Sequence, residues 1–295
     1  PRALLDGRGA RALILDEVQY VPELFPWIKM AVDREPARKG VFLLTGSQQF
    51  SLMAGVTESL AGRVAVIELL PFSILELGLA GPHALAEVVW NGGYPTPALL
   101  PASRDLWLSS YLQTYIERDV RELRDVSDLA TFERFLGLVA SRHGQELNFG
   151  DLCRDVGVSA PTAKAWISVL AASYVVTLLP PWHRNLGKRL IKAPKLYFFD
   201  PALVAWLTRL PSPDSALASP LGGALVEGIV VAETYKLFAA AGKRAQAWHW
   251  RSQDGMEVDM IIEVGGEIIP IEIKRTATPT PHHAEGLRRF KRLEP

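Results

Sequence analysis

Ala12-Leu13-Ile14-Leu15-Asp16-Glu17 sets four apolar residues directly before two carboxylates. A short continuous apolar run reads as a strand buried in a parallel sheet, and open α/β sheets bind their ligands beyond the carboxyl ends of such strands. An Asp placed there suits a Mg²⁺ ion, and the adjacent Glu suits activation of a water against a γ-phosphate. A surface turn carrying two acids is the alternative for this stretch alone. Working outward, Glu23 to Asp33 reads as a helix, Val41-Phe-Leu-Leu44 as a second buried strand, and Val64 to Leu69 as a third. Strand-helix-strand alternation predicts an α/β domain with a parallel sheet. The second strand ends in Thr45-Gly46-Ser47, whose hydroxyls are candidates to hydrogen-bond the same water or phosphate. Arg63, in Leu60-Ala-Gly-Arg63, is a candidate to reach a nucleotide in cis or across a subunit interface.

Length and composition bound the rest. A chain of 295 residues predicts about two domains. With 48% hydrophobic and 22% charged residues it is not a disordered chain. Lys+Arg 32 cancels Asp+Glu 32, so bulk charge implies no partner and any nucleic-acid contact rests on local patches. The single Cys153 removes a disulfide framework and any Cys-based zinc site, which points to a reducing cytoplasm. No apolar run approaches the ~18 residues needed to span a bilayer, so no membrane association is expected. The chain opens on Pro1 rather than Met, which reads as a fragment or a processed product.

The middle of the chain reads as mostly helical. Pro101 to Asp125 is expected as one long helix, with Thr131 to Ser141, Phe149 to Gly157 and Pro161 to Ser173 as shorter ones. The last two, joined by a tight turn and followed by strand candidates Tyr174 to Leu179 and Lys195 to Phe199, make a winged helix-turn-helix pattern. Ser159 is placed to cap the second helix and Pro161 stands in its first turn. That helix offers base edges only Lys164, with Thr162 and Ser168. The wing is richer, since Arg184, Lys188, Arg189, Lys192 and Lys195 occur with no acid between them. Such a patch suits sequence-independent, salt-sensitive contact with DNA phosphates. A solvated basic loop, or a docking surface for the first domain, stays open. Tyr111 to Glu122 is an amphipathic helix with internal pairs such as Glu117 to Arg121, which needs no function. Pro211 to Gly223 reads as a linker.

Beyond it, a helix from Ala224 to Ala241 precedes three strand candidates, Ala245 to Trp250, Glu257 to Glu263 and Glu267 to Lys274, and a closing helix from Pro281 to Leu293. Period two puts Glu272 and Lys274 on one strand face, and a hairpin through Gly265-Gly266 brings Asp259 opposite them. Asp259 and Glu272 are candidate ligands of one Mg²⁺ or Mn²⁺, with Lys274 polarising the attacking water and Glu227 adding a carboxylate from the preceding helix. An exposed hairpin with cross-strand ion pairs is the alternative. The Asp, gap, Glu-x-Lys order resembles the PD-(D/E)XK nuclease signature, with Val258 in place of its Pro.

As a whole the chain resembles a bacterial and archaeal family of AAA-type ATPases that carry a C-terminal domain of unknown function. The marks of the resemblance are Leu15-Asp-Glu-Val-Gln19, Leu44-Thr-Gly-Ser47, Gly92-Gly-Tyr-Pro95, Tyr115-Ile-Glu-Arg-Asp-Val120, Pro194-Lys-Leu-Tyr-Phe-Phe-Asp200, Trp250-Arg-Ser, Glu257-Val-Asp259 and Ile271-Glu-Ile-Lys274. The resemblance implies part of an AAA-type α/β domain over residues 1–90, a helical linker and winged helix over 91–210, and a restriction-endonuclease-like α/β domain over 211–295. It implies that Asp16 ligates Mg²⁺, Glu17 positions water, Thr45 or Ser47 acts as sensor, and Arg63 serves as an arginine finger, which suggests a homo-oligomer. The phosphate-cradling Gly-x-x-x-x-Gly-Lys-Ser/Thr loop occurs nowhere, because Gly187-Lys188 is followed by Arg189. The chain is therefore expected to start partway through its ATPase domain and to bind no ATP, while a version extended upstream by ~50 residues binds it. Three functions fit: an ATP-driven, DNA-associated enzyme, a non-catalytic nucleotide-dependent switch whose C-terminal domain binds without cutting, and a nuclease with a vestigial ATPase remnant.

Overall fold

The computed structural model describes residues 11–46, 49–81, 83–116, 129–183, 193–252 and 254–293. The chain divides into two compact units, residues 1–67 and 68–295. In the first, β1 (Leu13–Leu15) pairs in parallel with β2 (Phe42–Leu44), with Leu15 opposite Leu44. Helix α1 (Leu24–Arg34) and helix α2 (Gln49–Ser59) pack together, and Phe25 and Ile28 meet Val18, Val56 and Leu60 in one small core. Gly55 has a reason to be glycine, since a Cβ there would lie 2.4 Å from the Phe25 ring.

Two expectations for this unit need correction. The strands are half buried, with Leu13 and Leu15 turned to the core while Ile14 and Leu43 are exposed. The third strand is absent, because residues 64–70 carry no regular structure and Val66, Ile67 and Leu69 lie exposed. A β-branched apolar run becomes a strand only when a neighbour completes its hydrogen bonds, and among the described residues none does.

The second unit begins with α3 (Ala84–Asn91), α4 (Pro95–Leu99), α5 (Arg104–Tyr111), α6 (Leu129–Ser141), α7 (Phe149–Val156) and α8 (Ala160–Ala172). The sequence alone carries α7 and α8. Asn148 caps α7 by accepting from Gly150 and Asp151, Gly157 ends it at φ 84, and the Ser159 hydroxyl accepts from the Thr162 N–H at the start of α8. Helix α8 leads into β3 (Val176–Leu179), antiparallel to β4 (Lys195–Phe198) with Val176 opposite Phe198. Then follow α9 (Pro201–Leu207), α10 (Pro213–Ala218) and the long α11 (Gly222–Ala240). The unit closes with an antiparallel sheet, β5 (Ala247–Arg251), β6 (Glu257–Val264) and β7 (Glu267–Ile271), and with α12 (Glu285–Leu293). A bridge between Pro181 and His249 joins the two sheets, and Leu179, Tyr197, Val231, Ala247 and Met260 share one core cluster.

The supposed linker is part of this core. Ser212 accepts from the Ser215 N–H, Pro213 occupies the first turn, and the buried Ala216 fixes α10 against α3. Pro and Ser there are helix-start signals rather than breaker signals. The expected helix from Pro101 to Asp125 is also divided: a 3₁₀ turn over Pro101–Ser103 precedes α5, and Leu112–Ile116 forms a π-helical turn. Its continuation, including Glu117 and Arg121, lies outside the described residues. No helix among the described residues is long and apolar enough to cross a membrane.

Gly92-Gly-Tyr-Pro95 and Asp200, 107 residues apart from Gly93 in sequence, meet in a buried staple. The Asp200 carboxylate accepts from the N–H of Gly93 at 2.8 Å, of Tyr94 at 3.2 Å and of Ala202 at 2.9 Å, the last capping α9. Gly92 sits at φ 72 and ψ −161, a conformation glycine alone adopts readily, and a Cβ would lie 2.1 Å from Asp200. The Gly93 carbonyl accepts from the Phe72 N–H at 2.7 Å, and Lys236 of α11 donates to the Phe72 carbonyl at 2.9 Å.

His143 follows α6 and is 1% exposed. Its Nδ1 accepts from the Phe198 N–H at 3.1 Å and its ring stands edge-on to Tyr197. Burial pushes its pKa down to about 4. The unfolded chain takes up that proton near pH 6.5 while the folded chain resists it, so stability is lost as pH falls from about 6.5 toward 4. Between pH 6.5 and 5 the loss amounts to about 1.6 kcal/mol, since the slope reaches 1.36 kcal/mol per unit only below the unfolded pKa. Urea unfolding at both pH values is expected to show it in the wild type and to show a flatter response in His143→Gln. An equal response in both would assign the pH dependence to other groups.

Candidate functional site

Each unit carries one of the predicted constellations. In the first, the parallel register sets Asp16 and Thr45 side by side at the carboxyl ends of β1 and β2. The backbone locks them there, with Thr45 N–H donating to the Leu15 carbonyl at 3.0 Å and Val18 N–H to the Thr45 carbonyl at 3.0 Å. The Thr45 hydroxyl donates to the Asp16 carboxylate and accepts from the Glu17 N–H at 3.2 Å. Glu17 takes the left-handed conformation at φ 51, a strain tolerated mostly where function requires a special backbone. Its carboxylate accepts from the amide of the buried Gln19, a positioning contact the sequence reading did not assign. A carboxylate and a hydroxyl at the ends of adjacent parallel strands are hard oxygen donors that fit Mg²⁺.

Ser47 lies outside the described residues. Arg63 is engaged elsewhere, its Nε 2.6 Å and its Nη2 3.2 Å from the two carboxylate oxygens of Asp33 on α1. This hydrogen bonding holds Asp33 below the usual carboxylate range and Arg63 above its ordinary value. Being solvent-exposed, the pair adds little stability.

In the second unit, Asp259 on β6 and Glu272 and Lys274 just beyond β7 come together as expected, although the ladder ends at Ile271 rather than Lys274. The Lys274 ammonium lies 3.1 Å from Asp259 Oδ2 and 2.5 Å from Glu272 Oε1, and the Ile273 N–H donates to Asp259 Oδ2 at 2.8 Å. Burial pushes Glu272 above the usual carboxylate range, with Asp259 and Glu227 adding to the rise and Lys274 opposing it. Burial opposes a charged Lys274, yet its bonds to Glu272 and Asp259 hold its pKa above the ordinary lysine value.

One feature fits a divalent cation: Glu272 Oε2 is buried with no hydrogen-bond partner in the structure. The Lys274 ammonium itself sits between the two carboxylates, where a cation would have to displace it. Among the described residues no three His, Cys, Asp or Glu side chains converge to hold a metal. A Mg²⁺ or Mn²⁺ ion there would be held by Asp259 and Glu272 and would need its remaining ligands from water or phosphate.

Glu227 on α11 stands one step away. Its Oε1 accepts from the Tyr197 hydroxyl and from Lys195 Nζ at 3.0 Å, both on β4. Burial raises the Glu227 pKa; Lys195 opposes the rise and Asp259 adds to it. Lys195 is thereby corrected. Expected in the exposed basic wing, it is 6% exposed and points inward to Glu227 and, at 3.8 Å, to Glu257. Lys195 and Tyr197 share one face of β4, and a lysine in a strand of otherwise apolar and aromatic residues was the available signal.

Of the other predicted nucleic-acid contacts, Arg184, Lys188, Arg189 and Lys192 lie outside the described residues. Lys164 is exposed on α8, its ammonium 5.7 Å from the Phe149 ring centre. Thr162 and Ser168 spend their hydroxyls within the helix, on Ser159 and on the Lys164 carbonyl.

Comparison with known proteins adds the following. Residues 2–78 match the family model of an AAA domain, residues 82–214 a domain of unknown function (DUF8612), and residues 222–295 a domain of unknown function (DUF4143). Two uncharacterized proteins, of Mycobacterium tuberculosis and Mycobacterium bovis, are each 35% identical over 279 residues, covering 92% of this chain and 60% of theirs. The chain thus spans 60% of the length of the curated relatives it matches. The N-terminal and C-terminal matches support an AAA-like ATPase family for the regions they cover.

Proposed function

We propose that this chain acts in an ATP-driven, DNA-associated enzyme, in which the Asp16 site serves a nucleotide and the Asp259 site a phosphodiester. The reading rests first on Thr45, whose hydroxyl ties Asp16 and the Glu17 backbone into one rigid corner at the sheet's carboxyl edge. Asp16 holds the position of a metal ligand, and Glu17, steadied by Gln19, orients and deprotonates water. In the second unit, α7, α8, β3 and β4 follow the order of a winged helix. There Asp259 and Glu272 supply oxygen donors while Lys274 stands ready to donate to a phosphate oxygen. Mg²⁺ held by Asp16, and Mg²⁺ or Mn²⁺ held by Asp259 and Glu272, would neutralise phosphate charge when bound.

The test uses ATP and plasmid DNA with Mg²⁺ or Mn²⁺, on this chain and on a version extended upstream of Pro1. In the extended protein, Glu17→Gln is expected to slow ATP hydrolysis by about 10²-fold or more while leaving nucleotide binding intact. Lys274→Ala is expected to lower plasmid cleavage by a similar factor. Hydrolysis that survives Glu17→Gln would remove Glu17 from the mechanism. Absence of cleavage under every condition favours a second reading, a site that binds without cutting. That reading is favoured by Lys274 already bridging the two carboxylates.

A further inference from the structure

Helix α12 carries a basic surface that stands directly against the carboxylate pair. Its first turn is pressed onto the site at Gly286, where a Cβ would lie 1.9 Å from the Glu257 carbonyl oxygen and 3.4 Å from Glu272 Oε2. The inner face is spent on packing, since Phe290 meets Trp250 and Trp182 edge-on with Leu287 beside them. Arg289 is drawn back to Asp254 at 3.0 Å. On the outer face Arg288, Lys291 and Arg292 are exposed at i, i+3 and i+4, which lines them up along one side of the helix. Lys274 and Arg275 are exposed just past Glu272 and add two cations. Within the described helix Glu285 is the only acid, and His282 engages it at 3.0 Å.

We propose that the outer face of α12, with Lys274 and Arg275, binds the phosphate backbone of nucleic acid and presents a phosphodiester to Asp259 and Glu272. The inference deepens the preceding reading and rests on the second unit being DNA-associated. A row of cations without base-reading geometry suits sequence-independent backbone contact. An anionic membrane is the weaker match, because basic helices that lie on membranes insert an apolar face. Here Leu287 and Phe290 are committed to the protein core.

Binding of residues 1–295 to a fluorescein-labelled 20-base-pair duplex, followed by anisotropy across a salt series, tests the proposal. The variant Arg288→Gln/Lys291→Gln/Arg292→Gln changes only exposed side chains and is expected to weaken binding by about tenfold or more. Its slope of log affinity against log salt is expected to fall by about 2 to 3, near 0.9 per lost phosphate contact. A control, Lys243→Gln/Arg244→Gln beyond α11, removes two exposed cations elsewhere and is expected to stay within about twofold of wild type. Unchanged affinity and slope in the triple variant, or an equal loss in the control, overturns the α12 surface alone. Wild type that ignores the duplex, or prefers phosphatidylserine vesicles to it, overturns the DNA association of the second unit together with this surface.

Discussion

Asp200→Ala is expected to lower the stability of the second unit by about 4 kcal/mol, enough to leave much of the chain unfolded at 37 °C. The carboxylate is 1% exposed and serves three backbone donors, those of Gly93, Tyr94 and Ala202. Hydrogen bonds to a charged group contribute about 1.5–3 kcal/mol each, and orphaned buried donors cost about 1–3 kcal/mol. The neighbouring geometry leaves no ready substitute, because Gly92 and Gly93 are held too close to Asp200 and to the Phe72 carbonyl for a side chain to fill the gap. Burial itself raises the Asp200 pKa, which the three N–H groups and Lys236 partly offset, so part of the gross gain is already spent on desolvation. That is why the expected loss stays below the sum of three charged hydrogen bonds. Asp200→Asn keeps an acceptor but turns an N–H₂ group toward backbone donors, and it should fall between the two. Urea denaturation followed by far-ultraviolet circular dichroism measures both. A loss below about 1 kcal/mol in Asp200→Ala would mean that water satisfies the three donors and that the staple is not structural.

Asp200 also shows which parts of this molecule are legible in its sequence. Gly92-Gly-Tyr-Pro95 and Asp200 are each conspicuous marks, yet nothing in spacing predicts that one binds the other, since their contact is set by packing across the second unit. Local chemistry was readable where it is self-contained. The Ser159 cap, Pro161 and the tight turn at Gly157 place α7 and α8 to within a residue or so, and period two brings Glu272, Lys274 and Asp259 together across one hairpin. The first constellation was readable for a similar reason, because two adjacent parallel strands place whatever follows them at the same edge. Readings that depended on an unseen neighbour failed. Val64 to Leu69 has the composition of a strand but no partner among the described residues, and Pro211 to Gly223 has the composition of a linker but buries Ala216. The pairing of Arg63 with Asp33 is a separate case: it was unreadable because the two lie on different elements, and it leaves the nucleotide role of Arg63 untouched. The α12 surface went unread because a helix rich in Arg and Lys is ordinary on a protein surface, and only its contact at Gly286 ties it to the carboxylates.

Lys195 carries the same lesson into energetics. Lys195→Met alone, or Glu227→Gln alone, is expected to cost about 3–5 kcal/mol, while the double variant costs much less than the sum. The Lys195 and Glu227 side chains are 7% and 15% exposed, and their charged atoms are 3.0 Å apart. Removing one leaves the other with most of its desolvation penalty and without its partner. Glu227 without Lys195 keeps only the Tyr197 hydroxyl, close to the like charge of Asp259, and its pKa, already raised by burial, should rise further. Lys195 without Glu227 fares somewhat better, because Glu257 at 3.8 Å remains as a counter-charge. Glu227→Gln should therefore be the milder single change. Removing both leaves Met and Gln, which fill similar volumes, and keeps an acceptor for Tyr197. A coupling of about 2 kcal/mol or more in the urea double-variant cycle identifies the pair as a single buried unit joining β4 to α11. Additive losses would mean that each residue is held by its other neighbours, Glu257 for Lys195 and Tyr197 for Glu227. The pair would then leave the folding of the carboxylate site independent of the strand that precedes it.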